Sequence, residues 1–388
     1  MTNLTSEDLE ERVNSIAFRH FGIAIGFWTI FIGSFGNMLT ILTYVANKKL
    51  RTSFNAFLLN LAVIDFYTST CMIPFNVAGY IQMEWPFGND SFTARLQAFN
   101  YFCCGYTSVV FLVAITANRF IGAIFPGKYK IWFSKERMIW ILIVCNICAP
   151  AFLLPFLVGT HSTCNAPLYG LTGYNTKQFL CTFICLPPNT GWGPYMQFTR
   201  VLFQFVPLIG MILMYAVIFT FVHKRRNKLT NKMGTMNNAT IKGKEGRSIV
   251  GKPALNKTKS QRSIQAKRRS KEDSRMLVIS VVICVAFMIT FLPSVIVNLL
   301  PNRREIDVRW HMAASNMSWF NSSLNPIIYV ILNRRFRREY WRIIQIAIGR
   351  VREKFVHDSS STIPTPSSIP RNSSAGNVSE SLRVANKI

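Results

Sequence analysis

Seven long apolar stretches set the limits on what this chain can fold into. They run over 21–45, 55–81, 96–124, 138–159, 198–222, 274–300 and 310–332, separated by polar connectors. A hydrocarbon core about 30 Å thick takes about 20 residues of helix to cross. Every stretch reaches that length. A segment in lipid must satisfy its own backbone, which leaves helices and closed barrels. The expectation is an all-α membrane protein. Seven transmembrane helices form a bundle over 21–333, and a short amphipathic helix follows. Half of the 388 residues are hydrophobic. They come in blocks rather than at scattered amphipathic positions, so a soluble two-domain chain is excluded.

The net charge of +27 is a nucleic-acid signal only if it sits on one soluble surface. Here it alternates between connectors, so no nucleic-acid partner is expected. The first connector has Lys48, Lys49 and Arg51, and the third has Lys128, Lys130, Lys135 and Arg137. The fifth, over 223–272, holds sixteen Lys and Arg against two acids. The second and fourth are poor in both, while Arg303, Arg304 and Arg309 make the sixth an exception. The positive-inside rule then puts the amino terminus (1–20, with Glu7, Asp8, Glu10 and Glu11) outside and the carboxyl terminus in the cytoplasm. A multi-pass protein of the plasma membrane is expected, its first apolar run acting as a signal anchor. Glycosylation sequons at Asn3 and Asn89 would face outward.

Two polar appendages flank the last spans. The basic connector over 224–272 and the tail over 352–388 read as disordered, and the tail is rich in Ser and Thr that can accept phosphate. Between them, 334–348 places Phe336, Tyr340, Ile343, Ile344 and Ala347 on one helical face and arginines on the other. A basic amphipathic helix of this kind lies on the inner membrane surface, against acidic lipids.

Polar groups inside spans are costly and mark function. Asp65 is mid-span in the second stretch, Asn37 in the first and Ser108 in the third; Asn321, Ser322 and Asn325 are in the seventh. Packed side by side, these groups meet at one depth, as a cation site, a water cluster or polar glue between helices. Pro207 and Pro293 interrupt the fifth and sixth stretches. Arg119, near the inner end of the third, needs a partner, and Asp273 is the best-placed acid.

This set resembles the rhodopsin-like (class A) G-protein-coupled receptors over the whole membrane domain. The resemblance rests on Gly36-Asn37, Leu61-Ala62 through Asp65, Asn118-Arg119-Phe120, Trp140, Pro207 with Tyr215, Phe287 through Pro293, and Asn325-Pro326-Ile327-Ile328-Tyr329. Trp85-Pro86-Phe87-Gly88 is similar to the family's first outer loop. The resemblance implies a signalling receptor and no enzyme. An outside ligand favours one of two helix arrangements, and the sixth helix swings outward to activate a heterotrimeric G protein. Arg119 would release Asp273 and meet that protein, while Tyr215 and Tyr329 turn inward. Val109, Pro207 and Phe287 would form a packing switch, with Phe291 and Pro293 above it. Asp65, Ser108, Asn321 and Asn325 would hold an allosteric sodium ion. Arrestin and receptor kinases would act on the tail.

The departures are informative. Asn118 stands where the family carries an acid beside the arginine, which implies a weaker lock and raised basal signalling. Phe291 stands for the toggle tryptophan and Thr290 for the cysteine before it. The Asn-Arg-aromatic form hints at melatonin-receptor-like or moody-type receptors. Ala94 falls where the family has its third-span cysteine. Cys164, Cys181 and Cys185 leave a disulfide within the second outer loop open, with no unique pairing.

Counting from the motifs, Tyr101 occupies the amine receptors' aspartate position and Trp319 the opsins' lysine position, which disfavours amines and retinal. The outer pocket would be lined by Tyr101, Phe102, Gly105, Thr199, Arg200, Phe203, Asn298, Ser315 and Trp319, with Met196, Phe291, Ser294 and His311 beside them. Arg200 either pairs with an anionic ligand or snorkels to the outer interface. A transporter or channel is the rival reading. It would need several mid-membrane charges and inverted repeats, and the sequence offers one carboxylate and no repeat.

Overall fold

The computed structural model describes residues 6–89, 91–159, 171–184, 191–242, 253–300 and 306–361. Of these, 6–12, 49, 226–242, 253–273, 299 and 350–361 are described by backbone alone. Six of the described helices are long and apolar enough to cross a membrane: Val13–Ala46, Ser53–Gln82, Phe92–Ile124, Lys135–Val158, Trp192–Arg225 and Ser274–Asn298. They are called the first to sixth spans here. Val308–Leu332 is the seventh. Its composition is too polar for the same test, and its packing explains why. Asn316, Asn321, Ser322, Ser323 and Asn325 are all buried between helices, away from lipid.

The bundle is inside out relative to a soluble protein. Phe31, Trp140, Leu213 and Phe219 face outward, with Phe219 74% exposed. Asn37, Asp65, Thr116 and Asn118 are in the core. Lipid solvates the apolar surface, so helices associate through close packing and hydrogen bonds. The third span is central and touches the second, fourth, fifth and sixth. The first packs on the second and seventh.

Hydrogen bonds stitch these helices at several depths. Asn37 donates to the carbonyls of Gly33 and Ser322 at 2.9 and 2.8 Å. Trp28 donates to Ser323 at 3.2 Å, and Gln97 to the Met72 carbonyl at 2.8 Å. Tyr80 donates to Asn316 at 2.9 Å. π-helical turns occupy Thr29–Gly33, Thr68–Met72 and Val201–Phe205. The last two lie just before Pro74 and Pro207. Proline removes a donor from the helical ladder, and a widened turn re-pairs the carbonyls it frees.

A two-stranded antiparallel hairpin covers one end of the bundle. β1 is Thr172–Asn175 and β2 is Leu180–Phe183, with Tyr174 opposite Cys181. Tyr174 donates to the Gly79 carbonyl at 3.0 Å. Its ring and those of Phe75 and Phe87 surround Trp85, whose indole donates to Thr93 at 2.9 Å. Ser91 caps the third span by accepting from the Ala94 amide at 3.3 Å. At the same end Asp307 caps the seventh helix and pairs with Arg309, which holds its carboxyl below the usual carboxylate range.

Several expected boundaries shift. The first helix starts at Ser6 rather than 21. Arg19 fixes this extension by donating to the Tyr80 and Ile81 carbonyls, at the end of the second span, at 2.7 and 3.0 Å. The connector read as disordered over 224–272 is helical in Val206–Lys242 and Pro253–Leu299. Lys, Arg, Met and Gln are good helix formers, and Pro253 suits a first helical position. The final helix runs from Arg334 to Ser361, past the expected end at 348. Residues 344–388 form a separate unit, helical as far as Ser361. The rest of the tail, 362–388, lies outside the described residues. The start of the final helix is firmly docked: Phe336 and Tyr340 are buried, Tyr340 shares a hydrogen bond with Thr40, and Asn47 donates to Glu339 at 3.0 Å.

Helix spacing depends on glycine at the close approach of the first and seventh helices. A Cβ on Gly36 would lie 2.6 Å from the Pro326 Cβ, whereas one on Gly210 would meet nothing within 4 Å. Overpacking of this kind costs about 1–3 kcal/mol. Gly36→Val is expected to lower the melting temperature of the purified protein and Gly210→Ala to leave it nearly unchanged. Equal melting of the two variants would refute the close approach of the first and seventh helices.

Candidate functional site

Beneath the hairpin lies a cavity of about 380 Å³. The third, fifth, sixth and seventh helices supply most of its wall, and β2 closes it from above. Tyr101, Phe102, Gly105, Arg200, Phe291, Ser294, Asn298, His311, Ser315 and Trp319 line it. Tyr101 and Ser318 share a hydrogen bond of 2.5 Å, and Phe102 packs on Phe183 of β2 with ring centres 4.5 Å apart. Three residues expected in the wall lie behind it. Thr199 turns its hydroxyl back to the Met196 carbonyl at 2.8 Å, and Met196 is buried beside it. Phe203 is stacked on Tyr106 at 5.2 Å. Residues absent from the expected set, Gln204 and Ser318, do line the cavity. The π-helical turn over Val201–Phe205 shifts the facing by one residue, which brings Gln204 to the wall in place of Phe203.

The cavity floor reaches Ser108, Asn321 and Ser322, next to Asp65. Asp65 is 1% exposed. It accepts from Ser322 at 2.9 Å and from the Asn325 amide at 2.7 Å. Asn325 thus orients the carboxylate through its amide nitrogen. Asn321 accepts a long bond of 3.5 Å from Thr290. The oxygens of Asp65, Ser108, Asn321 and Ser322 make a donor set chemically suited to a small hard cation.

Between cavity and far end, Phe291 stacks on Phe287 at 4.2 Å. Val109 and Phe287 are buried and line a small void with Phe291 and Leu208. Pro207, its neighbour in sequence, is not among that void's lining residues. Pro293 lies inside the sixth span, one turn beyond Thr290, whose hydroxyl donates to the Ala286 and Phe287 carbonyls, both at 3.0 Å.

At the far end Arg119 donates to the Asn118 carbonyl oxygen at 2.8 Å and lies 3.9 Å over the Phe54 ring. Asn118 also donates to the Tyr129 hydroxyl at 3.2 Å. Neither Phe54 nor Tyr129 was legible as a partner, because they come from the second span and from the short helix Pro126–Trp132. Phe120 lies beside Phe125, with ring centres 6.3 Å apart. Tyr215 accepts from Thr116 at 3.4 Å. Tyr329 is buried against Phe336, and Pro326 packs at Gly36. Asp273 falls among the residues described by backbone alone, so its pairing with Arg119 lies outside the description.

Of the three loop cysteines, Cys181 alone is described, and it takes no part in a disulfide. Cys181 has a free thiol, buried in one apolar cluster with Trp85, Ala94 and Tyr174. Burial pushes that thiol far up from its usual value, which makes it unreactive. Cys164 and Cys185 lie outside the described residues, as do Asn3 and Asp90. Asn89 accepts from the Trp85 amide at 2.7 Å.

The family profile described as "7 transmembrane receptor (rhodopsin family)" matches residues 36–329. The chain is 26% identical over 320 residues to the Drosophila melanogaster protein trapped in endoderm-1, covering 81% of this chain and 75% of that one. It is 23% identical over 359 residues to the G-protein coupled receptor moody of the same species, covering 84% of this chain and 51% of moody. It is also 26% identical to that fly's octopamine receptor beta-1R over 329 residues, covering 83% and 60%. The chain thus spans about half to three quarters of these relatives. Squid rhodopsin shares the fold, with a TM-score of 0.66 at 19% identity over 91% of this chain and 93% of that one.

Ala94 and Cys181 share one buried cluster. Ala94→Cys is therefore expected to close a disulfide with Cys181. Thiol titration of the denatured variant should find one free thiol fewer than wild type despite the added cysteine. One thiol more would show that the two positions do not meet.

Proposed function

Because the chain belongs to the rhodopsin family of seven-transmembrane receptors, we propose that it carries an outside chemical signal to a heterotrimeric G protein. The ligand enters the hairpin-end cavity, and the G protein meets the far end around Arg119. This places the amino terminus outside and the basic connectors in the cytoplasm, at the plasma membrane. Receptor kinases and arrestin act on the Ser/Thr-rich tail, and acidic lipids meet the basic face of the final helix. Membership of a family of signalling receptors sets aside an enzyme and the transporter reading. An amine ligand is disfavoured by Tyr101, whose hydroxyl shares a hydrogen bond with Ser318.

One observation carries the reading. Beside Arg119 stands a neutral amide, Asn118, where the family pattern carries an acid, and Phe54 presents its ring to the guanidinium. An amide at that position contributes less to a lock on the arginine than a carboxylate would. A ligand then needs only a modest difference in affinity between the two helix arrangements to shift the population. The Phe291–Phe287 stack lies between the cavity and that lock, and it is the element a ligand would press on.

The test is ligand-free binding of a GTP analogue in membranes holding the receptor and a G-protein panel. Wild type should raise exchange above empty membranes, and Arg119→Ala should abolish the rise. A hydrogen bond to a charged partner is worth about 1 kcal/mol more than one to a neutral partner, or about fivefold in population. Asn118→Asp is therefore expected to lower basal exchange about fivefold. Unchanged exchange would remove the weak lock from the account.

Sodium at Asp65 belongs to the same proposal. Asp65, Ser108, Asn321 and Ser322 would hold the ion, which would favour the inward arrangement. Raising sodium at constant ionic strength should lower basal exchange in wild type and leave Asp65→Asn unaffected. An equal response of both proteins to sodium and to potassium would rule the ion out.

A further inference from the structure

Arg200 is the unexplained charge of this protein. It is 8% exposed, lines the cavity, and its Nη1 is buried with no hydrogen-bond partner. Snorkelling is thereby excluded, since a snorkelling head would sit in water. A guanidinium has five donors and cannot shed its proton, so its burial in a membrane protein demands an acceptor.

Among the described residues, no acid is placed to answer it: no Asp or Glu is among the described residues that line the cavity. The whole connector over 159–191, which supplies the hairpin, contains no acid. Asp307, at the same end of the bundle, is already paired with Arg309 at 2.5 Å. A second polar group shares the predicament: the Tyr106 hydroxyl lines the same cavity, buried and without a partner. The rest of the wall sets the rings of Phe102, Phe291 and Trp319 among hydroxyls and amides such as Ser294, Asn298 and Ser315.

We propose that the cavity takes an organic anion whose carboxylate pairs with Arg200 and whose apolar, ring-bearing body fills the aromatic wall. This deepens the receptor reading of the cavity and rests on it. The planar fork of arginine matches the two oxygens of a carboxylate, and a single buried cation balances a single negative charge. A phosphate monoester carries nearly two, and the other lining cation, Lys177, is exposed on the hairpin and keeps its water, which leaves Arg200 as the buried cation among the described lining residues. A neutral or cationic ligand would leave the guanidinium desolvated and unanswered. The volume of about 380 Å³ suits a molecule of fragment to drug size.

The test uses the full chain in discs of neutral lipid. The probes are 3-phenylpropionate, 4-phenylbutyrate and indole-3-acetate, their primary amides, the amines of the same skeletons, and lysophosphatidate. Compounds retained after equilibrium dialysis are measured by mass spectrometry. At least one acid should be retained on the order of tenfold more than its amide. That preference should vanish in Arg200→Met and shrink in Arg200→Lys, which keeps the charge and loses the fork. Retention of amides or amines equal to the acids, acid retention unchanged in Arg200→Met, or no acid retained above empty discs would each overturn the proposal. Arg200-dependent retention of lysophosphatidate alone would overturn it in favour of a phospholipid.

Melting of the unliganded protein is the second measurement and needs no ligand. Arg200→Met should melt higher than wild type, because it removes a buried charge without a partner. A lower melting point would show that Arg200 already has an internal counter-ion. Neither measurement uses a G protein, so failure of nucleotide exchange and failure of this inference are separable.

Discussion

Everything in this bundle depends on polar side chains that have only one another for solvent. The seventh helix is the clearest case. Asn316, Ser322, Ser323 and Asn325 would each be costly against lipid. Each instead meets a group from the first or second span: Tyr80, Asp65, Trp28 and Asp65 in turn. Bonds of this sort average only about 0.6 kcal/mol each in membranes. Their larger effect is directional. A rotation of the seventh helix would expose several amides and hydroxyls at once, so its facing is fixed even where its packing energy is modest.

The same constraint shapes how an event at one end can reach the other. The cavity floor ends at Ser108, Asn321 and Ser322, beside Asp65. Asn325 holds Asp65 from the helix that also carries Pro326 and Tyr329. The helix end beyond Tyr329 is tied by Arg275 and Arg337, which donate to the carbonyls of Leu332 and of Val330 and Ile331. Arg275 belongs to the sixth helix. A shift of the sixth helix therefore pulls on the last turn of the seventh, and a group in the cavity floor bears on the same helix from the other side. This is a physical connection through named contacts rather than a statistical one.

Much of this was legible in the sequence, and the limits have physical causes. Blocks of apolar residues gave seven spans, and the mid-span polar residues gave the convergence on Asp65. Both follow from the cost of polar groups in lipid, which acts residue by residue. The hairpin was not legible. Its strands are four residues each and owe their stability to Tyr174 and Trp85 packing at one end of the bundle. The same is true of Phe54 and Tyr129 at Arg119. A stacking face and a neutral hydroxyl carry no signature until the fold brings them together. The helical extensions beyond the membrane were missed for a different reason. A polar, basic composition reads as solvated, yet Lys and Arg continue a helix as readily as Leu does. That Ser322 joins Asn325 as a partner of Asp65 depended on which atom each side chain turns inward.

Two departures from the family pattern act in the same direction. Asn118 replaces a charge with a dipole at one end. Ala94 removes a covalent tether at the other, where the hairpin is held by the Tyr174–Gly79 hydrogen bond and by aromatic contacts around Trp85. A hairpin held without a crosslink to the third span can open over its cavity at the cost of noncovalent contacts alone. On the proposed reading, an amide beside Arg119 in place of a carboxylate would let the far end follow with less resistance. Buried within that frame is Arg200, whose Nη1 has no hydrogen-bond partner among the described residues. On the proposed reading the unliganded arrangement would be under electrostatic strain at the cavity and less firmly held at the Arg119 end. An anion entering the cavity would relieve the strain directly, so its affinity difference between arrangements can be spent on moving helices instead of on desolvating itself.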